Sequence, residues 1–242
     1  MRKICFFLMV CLFVTNLIAD EGGKKEMDRI SLNGETFDIH FYGHSSLMIQ
    51  YKSLCVYTDP VSQYADYAAL PKADIILITH EHFDHLDKEA VSSLLKKDTK
   101  IVTNPNSAKK LGRGDVLKNG QTITEKGIKI EAVPAYNATK GHEQYHPKGR
   151  DNGYILNLGA VRIYIAGDTE DIPEMTRLKN IDIAFLPVNQ PYTMTPAQLR
   201  HAVEIIRPKI VYPYHFSETD PQAMKNALKD VDGVELRIRN ME

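Results

Sequence analysis

Four consecutive large apolar residues, Ile75 to Ile78 in ADIILITH, restrict the fold more than any other part of the chain. A strand exposed on one face alternates apolar and polar side chains, whereas an unbroken apolar run of this length belongs to a strand covered on both faces. The chain must therefore place layers on both sides of a sheet. The run is followed by DKEAVSSLLKK, where apolar residues at 90, 91, 94 and 95 make a helical stripe behind Asp87 as N-cap. The same order returns near the C-terminus. Strand IDIAFLPV precedes helix PAQLRHAVEIIR, strand KIVYPYHF precedes helix PQAMKNALKD, and VELRIR reads as a closing strand. Thr195, Pro196 and Gln198 form a capping box with Pro208 beyond the helix, and Asp220 with Pro221 repeats the start signal.

Each β/α stretch follows a β-rich one. RISLNGETFDIHFYGHSSLMIQYKSLCVYTDP contains short strands and the two-residue hairpin signal Asn33-Gly34. After strand KIVTN, the segments GIKIEAVPAYN and YILNLGAVRIYIAGDT read as an alternating strand and a hairpin around Gly159-Ala160. Two such halves, packed sheet to sheet with helices outside, predict an α/β protein of four-layer αββα sandwich form. With 242 residues, 43% of them hydrophobic, the chain is long enough to bury a core without covalent staples. One domain over residues 28–242 is expected.

Residues 1–19, MRKICFFLMVCLFVTNLIA, open with Arg2 and Lys3 and continue as an apolar run, the pattern of a signal peptide cut after Ala19. Residues 20–27, DEGGKKEM, read as a tether. This predicts export to a periplasmic or extracellular space with no stable membrane span after cleavage. An uncleaved anchor and a lipoprotein acylated at Cys11 are the alternatives. Cleavage removes Cys5 and Cys11, so Cys55, in an apolar run, is left as a buried thiol with no disulfide partner. The net charge of −1, without long blocks of one sign, indicates no nucleic-acid partner. Nothing in the sequence fixes an oligomeric state.

The chemistry follows the apolar run directly. THEHFDHLD, residues 79–87, holds three histidines and three carboxylates. A spacing of two aligns His80 and His82 on an extended segment, whereas a helix would set them about 200° apart. Asp84 and His85 follow where the chain turns toward the helix. Imidazole and carboxylate donors suit Zn²⁺, and also Mn²⁺ or Fe²⁺. Four donors from one loop are too many for a single catalytic ion that keeps an open position, and two ions relieve the crowding.

THEHFDH resembles the signature of the metallo-β-lactamase superfamily of hydrolases, and the similarity extends over most of the chain after the leader. YGHSSLMI with TDP is similar to the opening of the branch that includes ascorbate-6-phosphate lactonases and N-acyl phosphatidylethanolamine phospholipase D. IYIAGDTE resembles the strand end that supplies a metal-bridging aspartate, here Asp168. VYPYHF resembles the late strand ending in a last histidine ligand, here His215. The resemblance implies a sandwich of the metallo-β-lactamase type with a dinuclear site. One ion would take His80 and His82, the other Asp84, His85 and His215, with Asp168 bridging and Asp59 of TDP orienting ligands by hydrogen bonds.

Much of the superfamily has a further histidine where this chain has Tyr136 and Asn137. The AYN…HPKG arrangement resembles a subgroup of hydrolases with no settled substrate, and it implies His146 as third ligand of the first ion, ahead of His142 or no protein ligand. His44 in GHSS is either a contact for substrate or ligands, or a satisfied half-buried histidine. His40 and His201 are expected to be structural. Lys140, Lys148 and Arg150 are candidates to hold an anionic group, and Tyr192 to line the pocket.

By resemblance, a hydroxide bridging two divalent ions, zinc first, then manganese or iron, attacks a carbonyl or phosphoryl centre while the catalytic carboxylates Asp84 and Asp168 orient it. The expected partner is a small-molecule or lipid-derived substrate, anionic ones included, with an ester, lactone or phosphoester bond. A non-catalytic metal-binding or scaffold protein and a di-iron redox protein on the same ligands are the competing expectations.

Overall fold

The computed structural model describes residues 26–241, so the expected signal peptide and most of the tether lie outside the described residues. The first sheet contains β1 (Met27–Leu32), β2 (Glu35–Gly43), β3 (Ser46–Tyr51), β4 (Leu54–Thr58), β5 (Ile75–Ile78), β6 (Lys100–Thr103) and β7 (Asp115–Val116) in that spatial order. The second contains β8 (Thr122–Glu125), β9 (Ile128–Ala135), β10 (Asp151–Leu158), β11 (Val161–Ile165), β12 (Ile183–Pro187), β13 (Ile210–Tyr214) and β14 (Glu235–Leu236), again in chain order. In each sheet the first four strands pair antiparallel and the later ones parallel. This is the expected α/β sandwich. The helices are α1 (Lys88–Leu94), α2 (Pro105–Leu111), α3 (Pro196–Ile206) and α4 (Pro221–Leu228), with a 3-10 turn at Pro173–Arg177.

The apolar run Ile75–Ile78 lies where its composition requires. Ile75 and Leu77 belong to the core between the sheets, with Ile39, Val102 and Tyr154. Ile76 and Ile78 point the other way and pack with Ala90, Val91 and Leu94 of α1. All four are fully buried, and truncating one to alanine is expected to cost about 2–5 kcal/mol. Asp87 caps α1 by accepting from the amides of Glu89 and Ala90, and Thr195 and Gln198 complete the capping box of α3. Both hairpins form, β1–β2 around Asn33-Gly34 and β10–β11 around Gly159-Ala160. Asn33 takes the left-handed conformation its turn demands.

Three features depart from the expectation. Helix α2 is absent from the sequence reading, although Asn104 caps it, Pro105 starts it and Gly112, left-handed, ends it. The closing strand keeps only Glu235 and Leu236, because beyond them Arg237 and Arg239 turn to the buried carboxylate of Asp28 at 3.4 and 2.7 Å. The tether expectation ended at residue 27, yet Met27 is already paired with His40 in β1, and the Glu26 carbonyl accepts from the Phe41 amide. Among the described residues no helix is long and apolar enough to cross a membrane.

The two sheets are tied together at the C-terminal end of β5. The Tyr154 hydroxyl donates to the carbonyl of Ile78 at 2.8 Å, and the Thr79 carbonyl accepts from the Asn152 amide and the Asn104 side chain. Asp59, His80, Asp168 and His215 follow the ends of β4, β5, β11 and β13 on this edge.

Candidate metal centre

The loop after β5 divides its donors by backbone shape. His80 and His82 leave the strand extended. The amides of His85 and Leu86 then bond to the His82 carbonyl, a tight turn that presents Asp84 and His85 before Asp87 starts α1. Their donor atoms fall into three overlapping groups, each within 4.8 Å: His80, His82 and His146; His80, His85 and Asp168; and His44, Asp84, His85 and His215. Asp168 stands among them. Its Oδ2 lies 3.3 Å from His146 Nε2, 3.1 Å from His215 Nε2 and 3.8 Å from His80 Nε2, while Oδ1 lies 3.4 Å from His85 Nε2.

The partners behind these donors decide which atoms face inward. The Asp59 carboxylate accepts from the Thr79 amide and hydroxyl and from His85 Nδ1 at 2.8 Å, which turns His85 Nε2 toward the cluster. Thr79 Oγ1 lies 3.0 Å from His80 Nδ1 and orients that ring in the same sense. His146 Nδ1 donates to the Asn137 side-chain oxygen at 2.7 Å, and the Asn137 amide nitrogen donates to the Tyr192 carbonyl at 2.9 Å. Asn137 thus orients a histidine at the position where a further imidazole was missing. The inward atoms, Nε2 of His80, His85, His146 and His215 and Oδ1 of Asp168, are buried without a hydrogen-bond partner. Unpaired buried polar groups each cost about 1–3 kcal/mol, so a cluster of acceptors and one carboxylate fits a divalent ion by its chemistry.

Electrostatics follow the same arrangement. Burial, together with the neighbouring His85, holds His80 well below the ordinary imidazole value, and burial brings His82 down to about 4. Burial would lower His85 too, but Asp168 and Asp59 outweigh it and push His85 well above the ordinary value. Burial works to raise Asp168 and Asp84. The histidines around each outweigh it and hold both carboxyls low, His215 and His85 for Asp168, and His44 with His85 for Asp84. Both are therefore anions at neutral pH.

The structure brings together His80, His82, Asp84, His85, His146, Asp168 and His215, with Asp59 behind them. His44 joins them: its Nε2 is 3.2 Å from Asp84 Oδ2 and its ring 3.7 Å from that of His215. His142 faces Glu170 instead, at 3.2 Å. Lys148 is not gathered into the site, because it pairs with Glu174 at 2.7 Å and sits over the Tyr136 ring. Arg150 is closer, 3.4 Å from His82 Nε2, but its guanidinium is held by Asp151 and the Tyr145 carbonyl. Lys140 is exposed. The Tyr192 ring is 45% exposed and packs edge-on against Tyr145, while its carbonyl steadies His146 and Asn137. His201 pairs with Asp171 on the surface of α3, and His40 stacks on Tyr42. Cys55 is buried, which raises its thiol away from nucleophilic use. His44, Asp59 and His215 all have left-handed backbones, with φ of 52°, 43° and 47°.

Sequence reasoning missed Thr79 and Asn137. Thr79 was legible as the residue between the strand and the first histidine. Asn137 carried no such signal, since its partner His146 is nine residues away.

A sandwich of two seven-stranded sheets with a histidine and aspartate cluster on one edge defines a class. Residues 38–215 match the family model described as the Beta-lactamase superfamily domain, and the chain belongs to that superfamily. It is 31% identical over 210 residues to a UPF0173 metal-dependent hydrolase of Thermococcus kodakarensis, covering 79% of this chain and 92% of that one. A crystal structure from Parabacteroides distasonis, assigned as a metal-dependent hydrolase, is 56% identical, superposes with a TM-score of 0.87, and is matched over 90% of this chain and 100% of that one. Igni18, a metallo hydrolase from Ignicoccus hospitalis, shares the fold at 23% identity and a TM-score of 0.71, over 84% and 94% of the two chains. The chain is a metal-dependent hydrolase of the metallo-β-lactamase fold.

Proposed function

We propose that this hydrolase works with two divalent ions, zinc foremost, and cleaves an ester, lactone or phosphoester of a small or lipid-derived molecule. The observation that carries this is the pair of donor groups meeting at Asp168, each with inward atoms that have no protein partner. His80, His82 and His146 would hold one ion and Asp84, His85 and His215 the other, with Asp168 between them. Manganese and iron suit the same donors. When bound, such ions supply Lewis acidity and lower the pKa of water toward neutrality.

The chain's own residues do the remaining work. Asp59 and Asn137 fix the tautomers of His85 and His146 by accepting their Nδ1 protons. Asp84, with 26% of its side chain exposed, is the carboxylate that reaches the open side, where it accepts a proton from a water or steers one. His44, 3.2 Å from Asp84 and half-buried, supports it and borders the space a substrate would enter. Tyr192, whose carbonyl accepts from Asn137 and lies 3.2 Å from His146 Nδ1, is placed to border the same space. We infer export from the leader-like pattern of residues 1–19. N-terminal sequencing of protein recovered from the cell envelope or medium is expected to begin at Asp20, and a chain still starting at Met1 in the cytoplasm would refute export.

The test of the site is stoichiometry together with turnover. Purified without added metal and titrated with Zn²⁺, the protein is expected to take about two ions per chain. It should then hydrolyse members of a panel of nitrophenyl esters, lactones and phosphodiesters in a chelator-sensitive way. Saturation at one ion, or turnover untouched by a chelator, would overturn the proposal. Iron retained through native purification in place of zinc would redirect it to redox chemistry.

A further inference from the structure

We propose that a cavity on the outer face of the second sheet, apart from the metal centre, binds a small amphipathic carboxylate. The cavity, of about 340 Å³, lies between the 3-10 turn and strands β9 to β11. None of the residues lining it belongs to the donor groups around Asp168. Strand alternation builds its floor. Arg162 and Tyr164 share one face of β11, Tyr164 sits opposite Ile155 of β10, and Ile155 sits opposite Glu131 of β9. Ile172, Met175 and Leu178 roof it from the turn. The volume is in the range of sites that enclose small molecules.

The walls are largely apolar, and two of the polar groups without partners there are donors. Tyr164 is 1% exposed, lines the cavity, and its hydroxyl makes no hydrogen bond among the described residues. Arg162 Nε is buried without a partner, its guanidinium bonding only to the Asn157 side chain at 3.2 Å. Arg177, on the exposed rim, has no ion pair among the described residues. Glu131 and Glu174 also line the space. Glu174 is already neutralised by Lys148, which leaves two arginines against one carboxylate. A buried guanidinium nitrogen without an acceptor, beside a tyrosine hydroxyl that bonds to no described residue, favours an occupant that brings acceptors and negative charge. The aliphatic walls favour an apolar body behind it.

Met175 makes the site observable. In zinc-loaded protein carrying ¹³C-methyl methionine, with the Met175→Leu variant assigning the resonance, octanoate is expected to shift the Met175 signal saturably. Octanol, with the same chain and no charge, should bind about tenfold more weakly, and Tyr164→Phe and Arg177→Glu should each weaken octanoate by a similar factor. Tyr164→Phe keeps the ring that fills the wall, and Arg177 is exposed, so both variants retain the fold. A Met175 signal that does not move, a response confined to the other methionines, or variants that bind octanoate like the parent would overturn the proposal.

Discussion

His80 and His146 are oriented by neutral groups, the Thr79 hydroxyl and the Asn137 amide, whereas His85 across the site is oriented by the buried carboxylate of Asp59. The consequence is electrostatic. His80 and His82 are held neutral, His82 down to about 4, while His85 sits well above the ordinary imidazole value because two carboxylates face it. On the two-ion proposal, His80 and His82 would accept an ion as they stand, whereas His85 would have to lose a proton first. The two halves of one centre therefore differ in how they respond to acid, although they share Asp168.

The largest test removes what they share. Asp168→Asn is expected to bring metal content to one ion or fewer per chain and to lower turnover about 10³-fold, checked by elemental analysis and steady-state kinetics. If both ions remain, Asp168 does not join the groups. A smaller and one-sided effect is expected from Asn137→Ala. Affinity for one ion should fall about 10–100-fold, the size typical of losing a residue that orients a ligand, and the other should be unchanged. Stepwise competition with a chromophoric chelator measures both, and equal losses at the two sites would erase the asymmetry.

Acid separates the groups without mutation. In the metal-free protein the raised His85 favours folding below the ordinary imidazole pKa, and that contribution is lost as pH rises through its folded value. An ion at Asp84, His85 and His215 must displace that proton. Its affinity should thus climb with pH by up to about tenfold per unit until His85 has titrated, with proton release on binding. Protonation of His80 and His82 should cost an ion bound there little down to about pH 5, because His80 is held well below the ordinary value and His82 is brought down to about 4. Calorimetry in two buffers of different ionisation enthalpy reads the proton count, and equal counts would contradict the assignment.

The smallest effect lies at the end of the same loop. Asp87→Ala should cost about 1 kcal/mol at pH 7 in a urea melt. Burial would raise Asp87, but bonds from Ser62, Glu89 and Ala90 outweigh it and hold the carboxyl below its usual range. The contribution is present above the unfolded pKa and disappears as pH falls through the folded one, so parent and variant should converge in acid.

Much of this was legible in the sequence because local rules carried it. The apolar run at 75–78, the hairpins at Asn33-Gly34 and Gly159-Ala160 and the capped helices α1, α3 and α4 rest on periodicity and turn chemistry that need no tertiary knowledge. Helix α2 had equal signals, Asn104, Pro105 and Gly112, but only two turns between them, too short for an apolar stripe to stand out. In the site, the contiguous donors from His80 to His85 announced themselves by spacing. Asp168, His215 and His146 are brought to them by three other segments, and resemblance to a family, not spacing, pointed there. What no pattern revealed was partnership at a distance. Asn137 looked like an absent ligand, and Lys148 like a free cation, until folding placed His146 beside the first and Glu174 beside the second.

The left-handed backbones at His44, Asp59 and His215 bear on how this chain can be improved. Of the other such residues, Asn33 and Lys126 occupy tight turns beside a glycine. These three instead gather on one edge, where each costs about 1–2 kcal/mol relative to an unstrained residue. Glycine at any of them would relax the chain and delete an imidazole or the carboxylate behind one. A search for thermostable variants scored only on melting temperature would therefore be rewarded for dismantling the centre, and heat resistance gained here is a warning to assay metal content.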